Sequence, residues 1–227
     1  MKKVSVVIPA YNEAPTLKEI VSRVQAVDLS PLAREIIIVD NNSTDDTYTI
    51  ASSLSGVRVF KERVPGKGAA VRTGFREASG DILLIQDADL EYDPTNYPAL
   101  LSPILEGKAE AVVGIRQYVG KKPERGILYA LGNKIITLAT NLLYGGHATE
   151  YTGGYKLFTK DLIDTIMVRT NDFAYEHELV CKLLKKGYVL ADAPIRYTPR
   201  DYAEGKKINW KDGFRILWAI IKYRFTD

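Results

Sequence analysis

Three apolar runs, Val6-Val7-Ile8, Ile36-Ile37-Ile38-Val39 and Ile82-Leu83-Leu84-Ile85, each stop abruptly at polar residues, and this restricts the fold more than any other feature. Runs this short and this apolar are strands covered on both faces, as in parallel sheets layered with helices. Strands are expected over 4–8, 35–39, 57–60, 82–86 and 111–114, with helical patterns over 16–27, 45–54, 69–78 and 96–105 between them. That alternation predicts an α/β fold with a mostly parallel central sheet flanked by helices. After Gly114 come a basic loop from Arg116 to Arg125, an apolar helical stretch over 127–143 and a Gly-rich turn at Gly153-Gly154. A helix over 175–186, a strand over 188–197 and a helix over 210–225 follow. No linker or repeat interrupts the 227 residues, so 1–227 is expected to form one domain, with 1–115 and 116–227 as its two halves.

In an open α/β sheet, ligands bind beyond the carboxyl ends of the strands. The third run ends there, past Gln86, in Asp87-Ala88-Asp89-Leu90-Glu91. Carboxylates two apart on an extended chain point the same way and suit Mg²⁺ or Mn²⁺, which favour oxygen ligands and bridge to phosphates. A solvated acidic turn would have the same spacing. The second run ends in Asp40-Asn41-Asn42-Ser43-Thr44-Asp45-Asp46. There Ser43 or Thr44 is expected to cap the next helix, leaving Asp40 and Asn41 for a nucleobase edge. The first run delivers Pro9, Tyr11, Asn12 and Glu13 to the same edge, Tyr11 either facing a base or packing at the strand end. Gly66-Lys67-Gly68 before a helix makes an anion-binding helix start.

Other classes are excluded. Neither GxGxxG nor GxxxxGK[ST] follows a strand, which argues against dinucleotide oxidoreductases and P-loop enzymes. A net charge of +3, from 31 basic and 28 acidic residues, gives no field for coating nucleic acid. Two histidines and one cysteine argue against a His/Cys zinc site, and Cys181, in an apolar helix, reads as a buried structural thiol.

In order, VSVVIPAYNE (4–13), IIIVDNNSTDDT (36–47), GKGAAVRTGF (66–75), GDILLIQDADLEYDP (80–94), VVGIR (112–116), GGYKLF (153–158) and EGKKINWKDG (204–213) resemble family 2 glycosyltransferases of the GT-A fold. Among these, the match is to dolichyl- and polyprenyl-phosphate hexosyltransferases. The resemblance implies an inverting transferase using a GDP- or UDP-linked sugar donor. Pro9, Tyr11 and Glu13 would then contact base or ribose, and Asp87 and Asp89 would bind the metal, with Glu91 a further candidate ligand. Arg116, Arg200 and Lys206 would meet donor or acceptor phosphates. Asn41 stands where relatives usually carry an aspartate that contacts the base. Glu150 lies in another departure, before Tyr155-Lys156, and is the expected general base if the acceptor is a sugar hydroxyl. A polyprenyl or dolichyl phosphate needs no strong base. The two competing readings are a soluble family 2 enzyme with a hydroxyl acceptor and a nucleotide-binding module without catalysis.

The first strand begins directly after Met1-Lys2-Lys3, so the protein is expected in the cytoplasm. The 127–143 stretch, with Asn133, Lys134 and Asn141, falls short of the ~20 apolar residues of a span. In the last helix Phe214, Leu217, Trp218, Ile221 and Phe225 form a stripe, with Lys211, Arg215 and Lys222 on another face. Both segments are expected to hold the protein peripherally on the inner face of a membrane, reversibly and less so in salt, although packing on the sheet is the competing account.

Overall fold

The computed structural model describes residues 1–119, 126–198 and 210–226. In chain order the elements are β1 (Lys3–Ala10), α1 (Leu17–Ala26), β2 (Ala33–Asp40), α2 (Thr47–Ser53), β3 (Arg58–Lys61), α3 (Lys67–Glu77), β4 (Ile82–Ile85) and α4 (Tyr97–Leu105). Then follow β5 (Ala111–Tyr118), α5 (Gly126–Tyr144), β6 (Lys156–Thr159), α6 (Lys160–Asp164), α7 (Tyr175–Lys185), β7 (Leu190–Tyr197) and α8 (Trp210–Phe225). The seven strands form one sheet in the order β3-β2-β1-β4-β6-β5-β7. All pairings are parallel except the two that β6 makes, antiparallel to β4 and to β5.

The apolar runs split residue by residue between two cores, as the two-residue period of a strand requires. Val4, Val6 and Ile8, with Ile36, Ile38, Ile82, Leu84 and Leu157, pack under α1 and α4. Val7, Ile37, Val39, Leu83, Ile85 and Phe158 face the other way, under α3 and α7. In α1 the buried Leu17, Ile20, Val21 and Val24 keep the three- and four-residue spacing of an amphipathic helix.

Two elements, β6 and α6, are absent from the sequence reading. The strand is only four residues long and its signal merges with the preceding GGY turn. Its antiparallel direction is what returns 153–156 to the carboxyl edge of β4 and β5. The expected cap of α2 is also corrected: Asp46 occupies the cap position without a side-chain bond. Ser43 Oγ instead accepts from Asn12 N at 3.0 Å, and Asn12 Oδ1 accepts from Thr44 N at 2.8 Å. The polar cluster therefore ties the tips of β1 and β2 together.

Candidate active site

The tip of β4 is built around Gln86, whose side chain has every hydrogen-bonding position used. Its Oε1 accepts from the Tyr97 and Tyr155 hydroxyls, each at 2.7 Å, and its Nε2 donates to the carbonyls of Asp87 at 2.9 Å and Tyr92 at 3.2 Å. With Tyr97 and Tyr155 fully buried, this clamp fixes the backbone that presents Asp87 and Asp89. Leu90, between Asp89 and Glu91, has φ 65°. That left-handed conformation costs a branched side chain about 1–2 kcal/mol, so the turn holds strain next to its carboxylates.

Asp87 meets Lys67, with Nζ 2.7 Å from Oδ1, and Lys67 also lies 3.1 Å from Glu176 Oε1. Glu176 Oε2 in turn is 2.6 Å from Lys156 Nζ, which also donates to the Gly153 carbonyl. Burial opposes the Lys67 ammonium, yet Asp87 and Glu176 outweigh it and hold its pKa well above the ordinary lysine value. Burial also opposes ionisation of Glu176, but Lys156 and Lys67 pull its carboxyl down to about 2. Asp87 is raised, first by burial and then by Asp89 and Glu176, against the pull of Lys67. The other Asp87 oxygen faces Gly154, where a Cβ would sit 2.8 Å from Oδ2 and 2.7 Å from the Tyr92 ring. Only glycine fits there.

Lys67 starts α3, and the turn before it is held by Asn41. The Asn41 amide donates to the carbonyls of Glu62 at 3.1 Å and Val64 at 2.7 Å, and its Oδ1 accepts from Gly66 N at 2.6 Å. Gly66 has φ 120°, a conformation open to glycine alone, with the Asn171 carbonyl close against it. Asn41 thus sits in the structure as the staple of the 62–66 segment. Its neighbour Asp40 is 3% exposed and its Oδ1 has no hydrogen-bond partner. Such an orphaned acceptor is what a ligand N–H or O–H would satisfy.

On the far side of Tyr92, Arg116 donates to Glu150 Oε1 and, at 2.8 Å, to Thr152 Oγ1, with its guanidinium 5.3 Å from the Tyr197 ring centre. Burial would raise the Glu150 pKa, but Arg116 and Thr152 lower it. Glu91 accepts from the Tyr197 hydroxyl at 2.7 Å. On β1's side, Tyr11 is half exposed, Pro9 lies within the strand, and Glu13 is buried with its backbone N bonded to Thr47 Oγ1 at 2.8 Å. Arg200 and Lys206 fall outside the described residues.

Among the described residues no three His, Cys, Asp or Glu side chains converge to hold a metal ion. Asp87 and Asp89 nevertheless offer the hard carboxylate oxygens that Mg²⁺ or Mn²⁺ prefers, and such ions normally complete their shell with water and substrate phosphate. The donor set therefore fits a shared site. Cys181 is buried, and burial pushes its thiol up to about 12, which agrees with a structural role.

Gln86, Tyr92, Lys156, Glu176 and Tyr197 were not singled out from the sequence. Glu176 and Lys156 carried a usable signal, since a charged residue within an otherwise buried pattern must find a partner.

The family model described as glycosyl transferase family 2 matches residues 5–167. Over 133 residues, 56% of the chain, the sequence is 40% identical to the dolichol-phosphate mannosyltransferase of Pyrococcus furiosus, of whose length that match spans 37%. It is 26% identical over 243 residues to the UDP-N-acetylglucosamine–dolichyl-phosphate N-acetylglucosaminyltransferase of Methanococcus voltae, covering 97% of the chain and 95% of that protein. The fold is similar to the crystal structure of glucosyl-3-phosphoglycerate synthase from Mycobacterium tuberculosis in complex with Mn²⁺, UDP and phosphoglyceric acid. The TM-score is 0.77 at 22% identity, over 100% of this chain and 80% of that one.

Proposed function

The chain belongs to glycosyl transferase family 2, and from that premise we propose that it moves a hexose, with inversion, from a GDP- or UDP-linked sugar to a polyprenyl or dolichyl phosphate at a membrane surface. The observation that carries the site is the fixed carboxylate pair Asp87 and Asp89 at the tip of β4, clamped by Gln86 and flanked by Lys67. When bound there, Mg²⁺ or Mn²⁺ supplies neutralisation of the charge that develops on the departing diphosphate. Asp87 and Asp89 would hold this cation, with Glu91, which accepts from the Tyr197 hydroxyl, as a further ligand.

In this reading, residues 1–115 bind the donor and 116–227 the acceptor. Pro9, Tyr11 and Glu13 line the base and ribose, and the orphaned Asp40 oxygen accepts a hydrogen bond from them. Lys67 and Arg116 counter phosphate charge, and Glu150 orients Arg116 through its ion pair. An acceptor phosphate is already ionised near neutral pH, so its oxygen attacks the anomeric carbon without a strong base. Were the acceptor a sugar hydroxyl, Glu150 would be the carboxylate to take its proton. Arg200 and Lys206 are assigned to phosphate binding on the resemblance alone.

Support for a lipid acceptor comes from α5 and α8. No helix among the described residues is long and apolar enough to cross a membrane. Yet Leu131, Ile135, Leu138 and Leu142 on α5, and Phe214, Trp218, Ile221 and Phe225 on α8, are all 47–80% exposed. Each set has spacing 4-3-4, one helical stripe. Lys134, Arg215, Lys222 and Arg224 are exposed nearby in sequence, the pairing of apolar and basic groups that binds anionic lipid surfaces. Leu217, assigned to the stripe from sequence, packs inward against the α5–α8 core. The test is transfer from a panel of nucleotide sugars to polyprenyl phosphate in anionic vesicles. Transfer to the lipid supports the reading; equal transfer to water-soluble hydroxyl acceptors without lipid, or binding without turnover, refutes it.

A further inference from the structure

The ion-pair chain Lys156–Glu176–Lys67–Asp87 contains more than a carboxylate and its counter-ion. Its first three members have side chains only 1%, 10% and 15% exposed, and Asp87 has 16%. The Lys156 ammonium donates to both Glu176 Oε2 and the Gly153 carbonyl. Glu176 is further held by the Tyr175 hydroxyl, 3.2 Å from Oε1. Lys67 differs: its backbone is pinned at the start of α3, but its ammonium sits between two carboxylates on a four-carbon stem, touching both.

An ammonium 2.7 Å from Asp87 Oδ1 and a divalent cation on the same carboxylate repel strongly at the low effective dielectric of a half-buried site. Steric closure by Gly154 and Tyr92 next to Oδ2 leaves Asp87 little room to turn away. Building on the metal reading above, we propose that Lys67 is a tethered cation competing with the metal for Asp87, and that Glu176 is the fixed carboxylate onto which it retires. In the metal-free protein Lys67 balances Asp87 and keeps the site from holding two bare aspartates. On metal binding, rotation about its stem moves the ammonium off Asp87 and onto Glu176 Oε1, which it already touches beside the Tyr175 hydroxyl while Lys156 holds Oε2. The device would make metal uptake weak until a nucleoside diphosphate brings additional negative charge, coupling the two ligands.

Two variants move in opposite directions, which a purely structural role would not produce. Lys67→Met keeps an apolar stem and removes the competitor, so the Kd for Mn²⁺ of the nucleotide-free protein should fall at least tenfold, about 1.4 kcal/mol. Glu176→Gln removes the retiring position and should raise the Mn²⁺ Kd and the UDP dependence of uptake. Mn²⁺ titration followed by electron paramagnetic resonance, with thermal melts to check the fold, reads both. Glu176→Gln strands the buried Lys156, and if it does not fold, Lys67→Met decides alone. Wild type that binds Mn²⁺ with Lys67→Met no tighter overturns this proposal and leaves the metal reading standing. No Mn²⁺ uptake by either protein, with or without UDP, overturns both.

Discussion

Replacing Asn41 by aspartate should destabilise the protein before it changes any base preference. The buried amide donates two hydrogen bonds, to the carbonyls of Glu62 and Val64, and accepts one from Gly66 N. Aspartate keeps the acceptor and loses both donors, leaving two carbonyls unpaired against a carboxylate. Each lost bond removes about 0.5–1.5 kcal/mol, and buried groups left unpaired add to that, for a total of roughly 2–3 kcal/mol. For a chain of this size the melting temperature should fall by roughly 4–12 °C. The loosened segment leads directly into Lys67, so hydrogen exchange at the Gly66 amide and the residues after it should quicken. Calorimetry and exchange mass spectrometry read the two effects. A variant as stable as wild type, with unchanged exchange over 62–68, would refute the stapling role and return Asn41 to base recognition.

Gln86→Leu should cost a similar ~2–4 kcal/mol by stranding the Tyr97 and Tyr155 hydroxyls, and should weaken Mn²⁺ binding as the Asp87 backbone loses its clamp; unchanged metal affinity in a folded variant counts against it. Glu35 is opposed by burial but held down to about 2, from an ordinary 4.5, by hydrogen bonds from Ser5, Ser79 and Arg58. Its folded-state pKa is depressed, so its contribution is complete above pH 4.5 and is lost as the pH falls toward 2. Urea midpoints of Glu35→Gln should therefore decline less steeply than wild type across that window, and parallel curves would contradict the assignment. Trp218→Ser with Leu138→Ser, both on exposed stripe positions, should leave the melting temperature nearly unchanged while reducing co-sedimentation with anionic vesicles by tenfold or more, since each buried side chain is worth about 1.5–3 kcal/mol. Equal co-sedimentation would remove these helices from the membrane contact.

The strands at 36–39 and 82–85 were legible because a sheet covered on both faces demands uninterrupted apolar residues, and their tips were legible because the polarity changes within one residue. The Asp87–Asp89 pair and the Lys67 turn followed from the same reasoning. What the sequence concealed was pairing at a distance. Glu176 lies 109 residues from Lys67, and nothing local marks it as the centre of an ion-pair chain. Nor does local pattern reveal that β6 runs antiparallel, although that direction brings Gly153, Gly154 and Lys156 to the site. Asn41 meets the same limit: a polar residue at a strand tip can face a ligand or a neighbouring loop, and its bonds to Glu62, Val64 and Gly66 in the neighbouring loop have no local signature.

On the proposed reading, Asp87 and Asp89 would hold a divalent cation that offsets the charge of the departing diphosphate. Nucleoside diphosphate release from a nucleotide sugar, measured with polyprenyl phosphate present, tests this in wild type and in Asp89→Asn. Charge neutralisation of this kind is worth several kcal/mol, so the variant should lose at least about a hundredfold in turnover while melting at the wild-type temperature. Chelator should abolish wild-type turnover and added Mn²⁺ or Mg²⁺ should restore it. Full turnover in excess chelator, or wild-type rates from Asp89→Asn, would contradict the account.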